Sequence, residues 1–154
     1  MTTFTTFVDG QSVPAGIPNE TVTVYQVCDL SLLASAPQVD DVVQLGRIPD
    51  NALIRVEAVV IVTADTTCTD FDLGITGVDP DGFDAAVSMA SAINAANGQG
   101  VAWPLSGTDA LADGYVNING DDTIDMLIQT AAATGDGKLV LIYSVRGLSP
   151  IDLG

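Results

Sequence analysis

The chain contains no histidine, and only Arg47, Arg55, Lys138 and Arg146 stand against 20 acidic residues over its 154 positions, for a formal net charge of −16. Without histidine, a serine or cysteine nucleophile has lost its commonest general base. No Gly-x-Ser-x-Gly elbow, Walker-type loop or dinucleotide fingerprint occurs either. With so few cations there is no basic stripe to neutralise phosphates, and the field repels nucleic acid and anionic lipid. Direct binding to DNA, RNA or a membrane surface is therefore excluded. Aromatic residues are also scarce, with one Trp and three Tyr. A glycosidase needs only two carboxylates, which this chain has in excess, but a sugar site usually offers several aromatic platforms. The expectation is a protein that is not an enzyme and has no cofactor.

Cysteine is limited to Cys28 and Cys68, too few for the bridge-dense pattern of small secreted scaffolds. Each lies in or beside an apolar strand pattern, where a reduced thiol behaves as a small hydrophobe, so two free core thiols are expected. Zinc is excluded by the same inventory. Calcium has two places to be considered, Asp79-Pro-Asp81-Gly-Phe-Asp84 and Gly120-Asp121-Asp122-Thr-Ile-Asp125, but neither matches an EF-hand loop. Turn chemistry accounts for both, and no metal site is assigned. The start, Met1-Thr-Thr-Phe-Thr-Thr-Phe, lacks the basic head and apolar middle of a signal peptide, which suggests synthesis in a cytoplasm without export. The longest apolar run, Ala58 to Val62, falls far short of the roughly 18 residues a membrane span needs.

What is present is a real core. A chain of this length buries roughly 70% of its unfolded surface as one domain, and 47% of the residues are apolar. Among the acidic residues only Glu20 and Glu57 are Glu, and the bias to Asp favours turns between strands over long surface helices. Strands are predicted at Thr21 to Val27, Val42 to Ile48, Leu53 to Thr63, Phe71 to Ile75, Ile124 to Gln129 and Lys138 to Arg146. The last is apolar on both faces and should be central in its sheet. The Leu53 to Thr63 strand is wholly apolar at Ile54, Val56, Ala58, Val60 and Val62. Its other face carries Arg55 and Glu57 but also Val59 and Ile61, so something is expected to cover it there, a loop or another subunit.

Other segments read less regularly. Phe83 to Asn97 is rich in Ala, with Asp84 placed as an N-cap, and fits a short helix or an irregular excursion. Gly98 to Gly114, containing Trp103-Pro104, reads as a long loop. Residues 1–19, rich in Thr, Pro and Gly with isolated apolar residues, read as an N-terminal arm, and residues 20–154 as one domain. Phe4 and Phe7 tilt the arm towards lying on a neighbouring subunit. Seven or eight strands at hairpin spacings, without a βαβ rhythm, predict an all-β antiparallel sandwich, jelly-roll-like in form.

The run Asp41-Val-Val-Gln-Leu-Gly46, then Ile48-Pro49 before a long strand, Asp72-Leu-Gly74 and Asp81-Gly82-Phe83 resembles, in this order and spacing, the head cement or decoration proteins of tailed bacteriophages. That resemblance spans roughly Thr21 to Val145. It implies a sandwich that assembles, commonly as a trimer, over the outside of an icosahedral capsid and bridges major capsid subunits. Such a family has no catalytic residues to carry over. The implied partners are the major capsid protein and further copies of this chain, and the implied location is the outer surface of the virion. Candidate interface residues are Phe4, Phe7, Arg47, Val59, Ile61 and Trp103, Arg47 being placed in the Gly46 to Pro49 turn. Other virion roles fit the same composition: a receptor-binding or fibre module recognising glycan or a host protein, or a tail or neck structural protein.

Overall fold

Residues 1–6, 20–90, 101–104, 111 and 114–148 are described by the structure, a computed structural model. Two sheets face each other. The first has the order β1 (Thr3–Thr5), β3 (Val42–Ile48), β9 (Asp122–Ile128), β5 (Phe71–Ile75) and β6 (Asp79–Val87). The second runs β2 (Thr21–Asp29), β10 (Lys138–Gly147), β4 (Ala52–Thr63) and β7 (Val101–Pro104), with β8 (Tyr115–Asn117) also on β4. Setting β1 aside and giving β7 and β8 one slot leaves eight strands. Their first neighbours their last (β2 with β10), the second the seventh (β3 with β9), the third the sixth (β4 with β7 and β8) and the fourth the fifth (β5 with β6). That nesting is the jelly roll, two interlocked Greek keys.

The burial pattern follows the period of two. Ile124, Met126 and Ile128 on β9 and Phe71, Leu73 and Ile75 on β5 are fully buried, while Leu127 and Asp72 between them stay half-exposed. Strand β10 is central, flanked by β2 and β4, with Leu139, Leu141, Tyr143 and Val145 turned into the core. Cys28 and Cys68 are separate, buried thiols.

Strand β4 corrects the expectation for Val59 and Ile61. Its pairing with β10 steps from Ile142 opposite Ala58 to Tyr143 opposite Val56, leaving Glu57 as an extra residue. A bulge of this kind inverts the alternation. Ile54 and Val56 face the core before it, and Val59 and Ile61 face the same core after it, both with no exposed surface. No loop or second subunit is needed to cover them. Val60 is instead half-buried and Val62 is 40% exposed, on the opposite side from the core face expected of them.

Three more segments differ from expectation. Asp79 to Phe83 is not a turn and Asp84 is not a helix cap, because β6 runs through both, pairing Asp79 with Ile75, Asp84 with Leu73 and Val87 with Phe71. Burial of Phe83 and Val87 against the core outweighs the weak strand preference of the intervening Ala residues. The sharp connection is Thr76 to Val78, closed by the Val78 N–H donating to the Ile75 carbonyl at 3.0 Å. Gly74 permits that hairpin, since a Cβ there would strike the Asp79 and Pro80 backbone. Residues 101–104, expected in a loop, form β7 against β4, with Pro104 at its end where a missing N–H is tolerated. Arg47 lies in β3 rather than in a turn. The rest of the Ala-rich excursion, 91–97, lies outside the described residues.

At the N-terminus, β1 pairs in parallel with β3, from Thr3 opposite Val42 to Thr5 opposite Gln44, and Phe4 is buried in the core cluster. The Thr2 N–H donates to Asp41 Oδ1 at 2.8 Å, and the Gln38 N–H to Oδ2 at 2.9 Å. The first six residues therefore lie on the chain's own sheet. The rest of the expected arm, 7–19, lies outside the described residues.

Candidate functional site

No catalytic constellation is assembled among the described residues. Burial pushes both thiols up to about 12, Cys68 further helped by the charges of Asp65 and Asp70, so neither is a nucleophile at neutral pH. No group of three or more carboxylates or thiols among the described residues is arranged to hold a metal ion. The carboxylates of the 120–125 segment are engaged in backbone work. Asp121 accepts the Asp50 N–H at 3.1 Å and Asp50 accepts the N–H of Gly120 at 3.1 Å, so the two turns brace each other. Asp125, buried on the outer side of β9, accepts the Thr123 hydroxyl at 2.6 Å and the Thr76 N–H at 3.1 Å; burial raises its carboxyl.

The residues expected at an interface are scattered by the fold. Phe4, Val59 and Ile61 are core. Arg47 is half-buried in β3, and its carbonyl accepts the Tyr143 hydroxyl at 2.7 Å. Trp103 is placed by its backbone opposite Val59 on β7, its side chain lying outside what is described. Phe7 also lies outside the described residues. Among the described residues, Phe4, Arg47, Val59 and Ile61 do not share one surface.

A different surface is assembled on the outer face of the second sheet, where three strands align four outward rungs. Val27, Val140 and Val60 form the first, and Tyr25, Ile142 and Ala58 the second. Thr23, Ser144 and Arg55 form the third, and Thr21, Arg146 and Leu53 the fourth. Outward rungs recur every two residues, so the four span about 20 Å. The first two are apolar, with Tyr25 68% and Val27 52% exposed. The last two line a cavity of about 330 Å³ together with Glu57, which accepts the Ser144 hydroxyl at 3.2 Å. Two of the four cations of the chain thus share one concavity.

Sequence reasoning missed this face for one reason. Tyr25 and Val27 alternate visibly with Cys28, but Val60 and Val62 turn outward only because of the bulge at Glu57.

No protein-family model matches the chain, and comparison with curated protein sequences finds no match. Solved structures do match. A chain in the capsid of Ralstonia phage GP4 superposes with a TM-score of 0.66 at 18% identity, covering 96% of this chain and 99% of that one. A chain in the capsid asymmetric unit of cyanophage Pam1 superposes with a TM-score of 0.57 at 14% identity, covering 91% and 94%. This chain has, over nearly its whole length, the fold of chains found in two phage capsids.

Proposed function

We propose that the chain is a structural protein of a phage virion that binds the outside of an icosahedral capsid and stabilises it by bridging major capsid subunits. The observation that carries this reading is the end-to-end match to a chain of a phage capsid, over 96% of this chain and 99% of that one. The cement-protein motifs support it, and their glycines have structural work to do. Gly46 faces the Tyr143 ring and Gly74 admits the β6 backbone. A protein that reinforces a shell works through packed surface, and stable association takes about 1,000 Å² or more of interface. The acidic surface keeps free copies apart until they meet a complementary one.

The test is co-sedimentation of the purified protein with expanded, empty capsids of its source virus, with light scattering for its mass in solution. Saturable binding at a fixed ratio to capsid protein, by an oligomer such as a trimer, is the expected result. Absence of binding removes the reading.

A further inference from the structure

We propose that the concavity on the outer face of β2, β10 and β4, together with Tyr25 beside it, is a binding site for a neutral carbohydrate. One sugar ring sits between Thr23 and Glu57, and the next ring of the same glycan lies on the Tyr25 ring. This activity goes beyond the capsid role and does not depend on it.

The exposed aromatic is the first observation. Among the aromatic side chains described, Phe4, Phe71, Phe83, Tyr115 and Tyr143 are buried, and Tyr25 alone is exposed, at 68%. The outward residues nearest to it on the sheet, Ile142, Val27 and Val140, are apolar. An exposed ring in apolar surroundings offers a platform for the C–H face of a sugar, with the phenol hydroxyl as a polar handle.

The concavity is the second observation, and it begins one rung away. Thr23 lies two residues from Tyr25 on β2, a distance of about 7 Å along the strand. Thr21 and Thr23 on β2 stand across β10 from Arg55 and Glu57 on β4, two strand spacings or about 10 Å apart. Ser144, only 8% exposed, lies on β10 between them. The enclosed volume of about 330 Å³ takes a sugar ring with its hydration. The extra residue of the β4 bulge is Glu57 itself, and bulges recur beside functional sites because they re-aim a side chain.

The lining selects the ligand. Sugar hydroxyls both donate and accept, and here the Arg55 guanidinium offers only donors, the Glu57 carboxylate only acceptors, and the Thr hydroxyls both. Glu57 accepts the Ser144 hydroxyl at 3.2 Å and keeps most of its acceptor capacity, since an ionised carboxylate has about four lone-pair sites. That carboxylate and the net charge of −16 repel phosphate, sulfate and acidic sugars. A neutral polyol meets no such penalty. A single aromatic platform makes a weak site in one copy, and in the capsid role, copies arrayed on one shell raise apparent affinity by about 10²–10⁴-fold.

The test is retention of the purified, fluorescently labelled protein on a printed array of neutral and sialylated oligosaccharides. The best-retained oligosaccharide is then titrated into wild type, Tyr25→Phe, Tyr25→Ala and Glu57→Ala, with binding read from NMR chemical shifts. Both positions are exposed and Glu57→Ala keeps the extra residue of the bulge, so the variants keep the fold, which circular dichroism verifies. The expected result is retention of neutral over sialylated oligosaccharides, with Tyr25→Phe binding like wild type. Tyr25→Ala and Glu57→Ala should each bind about tenfold more weakly or worse, the scale of one lost stacking or charge-assisted contact. No retention of any neutral oligosaccharide, or equal affinity in wild type and the two Ala variants, overturns the site and leaves the capsid role standing. In co-sedimentation Tyr25→Ala should bind shells like wild type; loss of shell binding by this variant assigns the face to the capsid contact and overturns the glycan site.

Discussion

Tyr143, in the middle of β10, donates its hydroxyl proton to the Arg47 carbonyl of β3 at 2.7 Å, so one side chain crosses the sandwich and ties the two sheets together. Its ring edge lies against Gly46, where a Cβ would sit 2.9 Å from Cε1. Burial pushes the phenol up to about 12, so the donor stays protonated across the physiological range. Replacing Gly46 with Ala should destabilise the fold by about 1–3 kcal/mol through overpacking. Tyr143→Phe, which leaves the shape intact, should cost about 1 kcal/mol for the lost bond. Urea denaturation of the two variants checks both, and a Gly46→Ala protein as stable as wild type would mean that the ring is free to move.

The bulge at Glu57 sets which residues of β4 are core. Deleting Glu57 restores simple alternation and turns Val59 and Ile61 outward, or else moves Ile54 and Val56 out of the core. The expected outcome is loss of a cooperative thermal transition. Glu57→Ala keeps the extra residue and should change stability by less than about 1 kcal/mol. If the deletion variant melts like wild type, the register assigned to β4 is wrong.

Much of this architecture was legible because burial on one face leaves a period of two. The Ile124, Met126 and Ile128 alternation and the doubly apolar β10 needed nothing but local reading. The misreadings share a cause, which is that the deciding partner is distant in sequence. Nothing near Glu57 announces a bulge, because only its pairing with β10, some 85 residues on, leaves it unmatched. Asp79 to Phe83 carries Asp, Pro and Gly, all turn residues, yet β5 pairs with it as a strand. Trp103-Pro104 looks like a loop until β4 offers it an edge. Val59 and Ile61 as interface candidates depend on facing outward, a property that the bulge reverses.

Cys28 and Cys68 are fully buried and have thiols pushed up to about 12 by that burial. Reaction with an aromatic disulfide reagent at pH 8 should therefore be limited by global opening, since only the thiolate attacks. Labelling should remain negligible in buffer and rise to two thiols per chain in denaturant. Prompt labelling of either cysteine in buffer would show a local opening of β2 or of the loop before β5.

Asp65 fastens two loops across the edge of the sandwich and makes stability depend on pH. Its Oδ1 accepts the Thr67 hydroxyl at 2.6 Å and the Thr67 N–H at 3.1 Å, while Oδ2 accepts the Gly135 N–H at 3.0 Å. Burial alone would push this carboxyl up, but the donors of Thr67, Thr134 and Gly135 outweigh it and hold it below its ordinary 3.8. A carboxyl lowered on folding contributes stability above its unfolded value, and that contribution is lost as pH falls through the folded value. Asp65→Asn should therefore be less stable than wild type at pH 7 by a margin that stays constant down to about pH 5 and closes below the unfolded value. Thermal denaturation of both proteins from pH 7 to pH 2.5 measures that margin. A gap that persists unchanged at the acid end would assign the effect of the substitution to packing, and the carboxylate would lose its role as the clasp between the Asp65 and Gly135 loops.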